Sequence, residues 1–141
     1  MIEIEKSVGF LLSKAYQRAC AIFKELFDRY DLTPQQFGLL RFLWQEDGLS
    51  QSELSARAQI DRTTMGGLID RLEQAGLVER RPHPEDRRAY QIFLTAEGNR
   101  MEAELCPLAD EVQARLTAGI SDDELGTLVR ILAKLRRPEE S

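Results

Sequence analysis

Hydrophobic residues return every three or four positions over most of this chain, a spacing that places them on one face of an α-helix. The longest such run covers residues 8–30, and further helical patterns cover 34–46, 96–119 and a last segment that ends near residue 135. Residues 139–141, which follow Pro138, are expected to fray. The pattern predicts a mainly helical protein.

The stretch 49–95 is different because its two helical segments are short and lie close together. Ser50 and Glu53 form the pattern of a capping box before a helix at 51–57, and Asp61 can cap a second helix at 62–74. Only the turn 58–60 separates them. Two short helices joined by a tight turn are typical of a helix-turn-helix.

Beyond Gly76, which is suited to ending a helix, the hydrophobic period changes from helical to alternating. Residues 77–81 and 88–94 are predicted to be two strands around a long loop at 82–87, with Tyr90, Ile92 and Leu94 on one face. A helix-turn-helix followed by a hairpin is a winged helix. The predicted fold class is therefore mainly α with a small β-hairpin wing, an α+β arrangement.

The length of 141 residues and the hydrophobic fraction of 43% suit one folded unit over 1–141. We expect 33–95 to form the winged helix-turn-helix and 1–30 with 96–137 to form dimerisation helices. These terminal helices carry more apolar residues than the winged part can cover, so the chain is expected to be a homodimer.

Charge is distributed unevenly along the chain. The net charge is −5, which argues against a protein that coats nucleic acid indiscriminately. Residues 57–91, however, contain seven arginines and six acidic residues, a local balance of +1, so the rest of the chain carries −6. Within 80–91 the four arginines exceed the two acidic residues and give +2. The predicted wing is thus the positive part of the chain.

Five motifs, in this order and spacing, resemble those of the multiple-antibiotic-resistance regulator (MarR) family of transcriptional regulators. They are LSQSELS at 49–55, DRTT at 61–64, LEQAGLVER at 72–80, DRR at 86–88 and LTAEG at 94–98. The resemblance covers nearly the whole chain, since that family also has one helix before this stretch and two long helices after it. It implies a homodimer on double-stranded DNA that binds a pseudo-palindromic operator, in most members as a repressor.

The second helix and the wing hold the candidate DNA contacts. Met65, Leu68, Ile69 and Leu72 share an inward face, which leaves an outward face for phosphate and base contacts. The candidate residues are Arg62, Thr63, Thr64, Gly66, Gly67, Arg71, Arg80, Arg81 and Arg87. The plainer interpretations are a solvated helix face and, for Arg80 and Arg81, charges at a strand edge. The two glycines depart from the family, whose members often carry larger polar residues there.

In the wing, the resemblance implies two roles. Arg87 at the loop tip would enter the minor groove, and Asp86 with Arg88 would form a structural pair, the carboxylate fixing the loop through a charge-assisted hydrogen bond to the arginine. The plainer interpretation is an exposed charge cluster. His83, the only histidine, could add charge to this face at low pH.

An effector is implied by the family alone, whose ligands are often phenolic or aromatic acids bound between the dimerisation helices and the winged helix. By position, Tyr16, Phe37 and Arg41 are candidate lining residues, with Arg41 as a carboxylate partner. The alternative is that both aromatic residues belong to an ordinary core.

Cys20 and Cys106 lack the spacing of a disulfide framework or a zinc site, and each is typical of a buried small residue. A thiol-based redox regulator remains an alternative, because some family members sense oxidants through a cysteine near the start of the first helix. Cys20 lies well inside that helix and lacks the surroundings of that subgroup, although Arg18 and Lys24 lie near it.

The sequence offers no constellation of catalytic residues, so an enzyme is not expected, and neither a cofactor nor a metal is implied. No apolar run has the length of a membrane span and the N-terminus is acidic, so we expect a cytoplasmic protein. An alternative from another class is a winged helix that binds only other proteins.

Overall fold

The computed structural model describes residues 1–137, and the fraying expected for 139–141 lies outside them. A short 3-10 helix at Ile4–Lys6 precedes the main elements. These are α1 (Val8–Leu26), α2 (Pro34–Gln45), α3 (Gln51–Ala58), α4 (Arg62–Gln74), β1 (Val78–Pro82), β2 (Tyr90–Leu94), α5 (Ala96–Leu116) and α6 (Asp122–Leu135). The predicted fold class, mainly α with a β-hairpin wing, is confirmed.

Local capping signals set the boundaries of the helix-turn-helix. The Ser50 hydroxyl accepts a hydrogen bond from the Glu53 amide at 3.0 Å, and the Glu53 carboxylate accepts one from the Ser50 amide at 3.1 Å. Asp61 accepts one from the Thr64 amide at 3.0 Å, and Gly76 follows α4 with a φ of +77°. These short-range contacts explain why α3 and α4 begin where the sequence predicted.

The first helix is shorter than predicted, ending at Leu26 rather than at residue 30. The stripe of apolar residues continues past the helix because Phe27 turns into the core, where it is 2% exposed and stacks on Phe23 at 4.0 Å between ring centroids. The pattern therefore marked buried residues correctly but did not mark the end of the helix.

One hydrophobic core joins the second half of α1 to α2, α3, α4, the hairpin and the first half of α5. Leu40, Leu54, Met65, Ile69 and Ile92 are each 0% exposed and come from α2, α3, α4 and β2. Because these elements share one packed interior, α4 and the hairpin hold a fixed position relative to each other.

A close backbone contact fixes α5 against this core. A Cβ atom at Gly98 would lie 2.1 Å from the Leu77 carbonyl oxygen, so only glycine fits there. The Trp44 indole donates a hydrogen bond to the Gly98 carbonyl at 2.9 Å. This contact places α5 directly behind the hairpin.

The two ends of the chain lack such packing. None of the residues of α6 is buried, and its Val129 and Leu135 are 58% and 57% exposed. In the first half of α1, Val8 is 63% and Leu11 is 50% exposed. These apolar faces remain largely exposed within residues 1–137.

Candidate nucleic-acid interface

Helix α4 presents one buried face and one free face. Met65, Leu68, Ile69 and Leu72 point into the core, as predicted, and are at most 4% exposed. With 3.6 residues per turn, the opposite face carries Thr63, Gly67, Asp70 and Gln74. These four residues are exposed, so this face is free for a partner.

The turn between α3 and α4 is tight and held by the backbone. Gln59 adopts a left-handed conformation with φ of 55°, which is uncommon for a residue other than glycine. The Ile60 amide then donates to the Ser55 carbonyl at 3.1 Å. The start of α4 is also linked to α3, because the Arg62 guanidinium donates to the Ser52 hydroxyl at 2.9 Å.

The acidic residues that cap these helices are held in their charged form. Hydrogen bonds from the Ser50 amide and hydroxyl lower the pKa of Glu53, and hydrogen bonds from the Thr64 hydroxyl and amide lower the pKa of Asp61. Both carboxylates therefore stay ionised at neutral pH and keep their caps.

A groove of about 440 Å³ lies between the start of α4 and the wing. Its lining residues come from α3, α4 and the wing: Gln51, Ser52, Arg62, Asp86, Arg88, Ala89 and Tyr90. The groove thus has one arginine from the helix-turn-helix and one from the wing. The sequence alone did not indicate a role for Gln51, Ser52 or Tyr90, because the folding of the wing over α3 brings them to the groove.

The wing tip is shaped by short-range hydrogen bonds. The Glu85 amide donates to His83 Nδ1 at 3.1 Å, and the His83 amide donates to the Ala89 carbonyl at 3.0 Å. The Asp86 carboxylate accepts a hydrogen bond from the Arg88 amide at 3.0 Å. The expected charge-assisted hydrogen bond between Asp86 and the Arg88 guanidinium is not formed within residues 1–137, and Asp86 instead accepts from the Arg88 backbone. The strand that follows begins at Tyr90 rather than at residue 88.

The arginines of the wing fall into two groups. Within residues 1–137 the guanidinium groups of Arg87 and Arg88 make no hydrogen bond or ion pair, and both residues are exposed. Arg81 instead pairs with Glu79 and lies over the Phe93 ring at 4.2 Å from its centroid. Only the first group has its full charge available to a ligand.

Arg80 is not a free surface charge. Its side chain is 19% exposed, and its guanidinium lies 2.7 Å from the Asp70 carboxylate and 2.9 Å from that of Glu73. It also donates to the Gly66 carbonyl at 3.1 Å. The sequence predicted Arg80 as a DNA contact, with a strand-edge charge as the plainer interpretation, whereas the structure shows it as a contact between β1 and α4.

Arg71 lies away from the wing. It lines a cleft of about 950 Å³ between α1, the start of α2 and the end of α4, together with Tyr16, Cys20, Lys24 and Phe27 among others. Arg71 was predicted as a DNA contact, and its outward direction from the core is as predicted. On that side of α4, however, Arg71 faces this cleft and not the wing.

The three residues predicted to bind an effector do not line this cleft together. Tyr16 does, and the Cys20 thiol beside it raises the pKa of its phenol. Phe37 is 5% exposed and belongs to the core, which was the alternative interpretation. Arg41 is exposed on α2, with its guanidinium 5.9 Å from the centroid of the Phe37 ring.

The cysteines and the remaining polar side chains offer few further candidates for a functional site. Burial raises the pKa of the Cys106 thiol, which lowers its thiolate fraction at neutral pH. Residues 1–137 contain no group of side chains suited to holding a metal ion. No helix in this part of the chain is long and apolar enough to cross a membrane.

The two glycines of α4 differ in their surroundings. A Cβ atom at Gly66 would lie 3.3 Å from the Gln51 side-chain nitrogen, whereas one at Gly67 would meet nothing within 4 Å. Gly67 therefore leaves open space in the middle of the free face of α4, where a side chain would otherwise stand.

Comparison with known proteins gives consistent results. A family model described as MarR family matches residues 32–90. The transcriptional repressor NicR of Pseudomonas putida is 31% identical over 139 residues, which cover 99% of this chain and 88% of the relative.

Two solved structures are similar over nearly their whole length. BpsR of Bordetella bronchiseptica, whose DNA binding is regulated by 6-hydroxynicotinic acid, has a TM-score of 0.92 at 29% identity, with 99% of each chain covered. A mutant MarR of E. coli in complex with operator DNA has a TM-score of 0.85 at 27% identity, with 92% of this chain and 94% of that chain covered.

Proposed function

The chain belongs to the MarR family of winged helix-turn-helix transcriptional regulators, and we propose that it is a homodimeric repressor of a pseudo-palindromic operator. The observation that carries this proposal is the groove between α4 and the wing, which Arg62 and Arg88 both line, together with Arg87 at the wing tip, whose guanidinium makes no ion pair within residues 1–137. Three arginines on the helix-turn-helix and the wing favour a polyanion as the partner.

In this proposal α4 enters the major groove with its free face forward. Thr63 contacts a phosphate or a thymine methyl group, and Arg62 contacts a phosphate at the entrance of the groove. Gly66 and Gly67 let the helix approach the DNA closely, which favours contacts to the backbone and to groove shape over direct base readout.

The wing adds a second contact. The Arg87 side chain extends from the loop tip into the adjacent minor groove, where the negative potential is strongest when the groove is narrow. Arg81 lies further back on β1 and lies over Phe93, so we assign it a weaker contact to phosphate.

The exposed faces of α1 and α6 support dimerisation. A two-fold dimer built on residues 1–30 and 96–137 buries these faces and places two copies of α4 in successive major grooves, about 34 Å apart. The operator is then a short inverted repeat, and each half-site is read by the segment 33–95 of one subunit.

For regulation, we propose an aromatic acid in the cleft that Tyr16, Phe27, Lys24 and Arg71 line. The aromatic side chains suit a ring and the two cations suit a carboxylate. Since Arg71 belongs to α4, a ligand held there would change the position of the reading helix. 6-Hydroxynicotinic acid, which regulates DNA binding by BpsR, is a hydroxylated aromatic acid and supports this class of compound.

Arg71 offers a test of this assignment. If Arg71 binds ligand, Arg71→Gln will leave operator affinity nearly unchanged and will abolish release of the operator by 6-hydroxynicotinic acid or a related aromatic acid. If Arg71 contacts DNA, as the sequence alone predicted, the variant will lose affinity in the absence of any ligand.

Thiol oxidation is a second candidate signal, because Cys20 lines the same cleft beside Tyr16. It predicts that hydrogen peroxide releases the operator from the wild type and not from Cys20→Ser. Equal release from both proteins would exclude Cys20 as the sensor.

The function itself is tested by a fluorescence-polarisation titration of the purified protein against its own upstream intergenic DNA. We expect tight binding that resists scrambled competitor DNA and weakens steeply between two salt concentrations. Binding that is weak, unselective and insensitive to salt would contradict the proposal and favour a winged helix that binds other proteins.

A further inference from the structure

Arg80 lies where the wing meets the reading helix, and both its guanidinium and its backbone amide have partners on that helix. The guanidinium contacts the carboxylates of Asp70 and Glu73 at 2.7 and 2.9 Å and the Gly66 carbonyl at 3.1 Å. Its backbone amide donates to the second oxygen of Glu73 at 3.3 Å. Arg80 of β1 thus contacts Gly66, Asp70 and Glu73, which lie on successive turns along one side of α4.

The two acidic partners of Arg80 lie on the helix that is proposed to face DNA, where negative charge opposes binding. The side chains of Asp70 and Glu73 remain 59% and 42% exposed, and Asp70 lies on the free face of α4. A free carboxylate at this position would be repelled by the phosphates and would oppose binding. Pairing with Arg80 offsets this charge and turns both carboxylates toward the wing.

The third partner lies in the weakest part of the helix. Glycine is a poorer helix former than alanine, and α4 contains Gly66 and Gly67 in succession. The hydrogen bond from Arg80 to the Gly66 carbonyl ties this segment to β1. It therefore stabilises the helix where its own sequence does not.

We propose that Arg80 is a positioning residue that allows α4 to approach DNA in spite of its acidic residues, and that it contacts no phosphate itself. It offsets part of the negative charge of Asp70 and Glu73 and joins the helix to the wing, so that both meet the DNA as one rigid unit. This inference rests on the proposed DNA-binding function.

The test is a double-mutant cycle on operator affinity with four proteins: wild type, Arg80→Met, Asp70→Asn with Glu73→Gln, and the triple variant. In the wild-type background we expect Arg80→Met to weaken binding on the order of tenfold or more, because it exposes two carboxylates to the phosphates. In the background without these carboxylates we expect a loss of less than about threefold.

Two results would overturn the proposal. If Arg80→Met weakens binding equally in both backgrounds and reduces the slope of log affinity against log salt by about one, Arg80 is a direct phosphate contact. If the loss is equal in both backgrounds and the melting temperature falls in parallel, Arg80 only supports the fold.

Arg81→Met is the matched control, since Arg81 is the next residue of the same strand and pairs with Glu79 instead. Its effect on affinity should be the same with and without Asp70 and Glu73. An effect that disappears together with those carboxylates, as expected for Arg80, would show that any nearby positive charge suffices and would overturn the specific role of Arg80.

A measurement without DNA separates this inference from the proposed function. Amide hydrogen exchange in β1 and the middle of α4 should be faster in Arg80→Met than in the wild type and unchanged in Arg81→Met. If the wild type fails to bind DNA, the proposed function fails, and faster exchange would still support the link between wing and helix. Unchanged exchange would contradict that link.

Discussion

The reading head, which we define as residues 33–95, and the terminal helices use their hydrophobic residues in opposite ways. In the head, Leu40, Leu54 and Ile69 are each 0% exposed, and its core is complete within one chain. In α6, Leu128 and Leu132 are 40% and 37% exposed, and no residue of the helix is buried. The head is packed within one chain, together with the second half of α1 and the first half of α5, whereas α6 and the first half of α1 carry an apolar surface that the proposed dimer would cover.

The arginines of the head divide into two groups according to their partners. In the head, some arginines are bound to acidic residues and others are free, so the surface carries both fixed structural charges and charges available to DNA. Arg80 belongs to the first kind and Arg87 to the second. This contrast predicts that changes at the ends will affect assembly, and that changes in the head will affect packing or affinity according to what each residue contacts.

The largest effect is expected at the ends. Leu128→Glu or Leu132→Glu places a charge in the proposed dimer interface, where it is costly to bury, so the dimer should dissociate and operator binding should be lost with it. Thr127→Glu, on a polar position of the same helix, is the matched control and should remain dimeric. Mass by light scattering and operator affinity check both. A folded monomer of Leu128→Glu with undiminished affinity for the full operator would contradict this account.

Substitution of Gly98 should disturb the packing of α5 against the head. An alanine there would press on the Leu77 carbonyl, from which its Cβ would lie 2.1 Å without a shift of α5. We expect a loss of about 1–3 kcal/mol in unfolding free energy. Gly38→Ala in α2 is the control, since its Cβ would meet nothing within 4 Å, and it should be neutral or stabilising. Chemical denaturation measures both, and equal stability of the two variants would show that α5 is not held by this contact.

A substitution at the wing tip should lower operator affinity without changing the packing of the head. Arg87→Ala removes an exposed guanidinium that has no partner within residues 1–137, so operator affinity should fall by about 1–3 kcal/mol while the dimer stays folded. Arg100→Ala removes the same charge from α5, away from the proposed DNA face, and should have little effect. If the two variants bind alike in a polarisation assay, the wing has no role in binding.

The smallest effect is expected at Gly67, which leaves open space on the free face of α4. Gly67→Ala should raise the unfolding free energy by up to about 1 kcal/mol, because alanine is the better helix former. If the helix approaches DNA closely at this point, the same variant should bind the operator more weakly. Greater stability with unchanged affinity would show that Gly67 does not face the DNA closely.

The winged fold was predictable because its signals are local. The capping box of Ser50 and Glu53, the cap at Asp61 and the glycine at 76 act within a few residues, and each lies where the sequence placed it. The end of α1 was not predictable from periodicity, since Phe27 continues the apolar stripe after the helix has ended. A buried residue in a turn gives the same signal as one in a helix.

The site was harder to predict because its residues depend on tertiary packing. The partners of Arg80 lie on the preceding helix, and the pattern of two acidic residues on one side of α4 followed by a strand arginine was the signal available for them. For Arg71, the sequence identified an outward residue, but the packing of α1 beside α4 decides that it lines a cleft. Phe37 shows the reverse case, an aromatic residue that the core takes up entirely.

The most direct test of the contrast between head and ends is the mass of the wild-type protein, alone and on a single operator duplex, by sedimentation or light scattering. We predict a dimer in both cases, with two subunits on each duplex and no free monomer at micromolar concentration. A stable monomer that binds the duplex as one subunit, with the apolar faces of α1 and α6 left in water, would contradict the central claim.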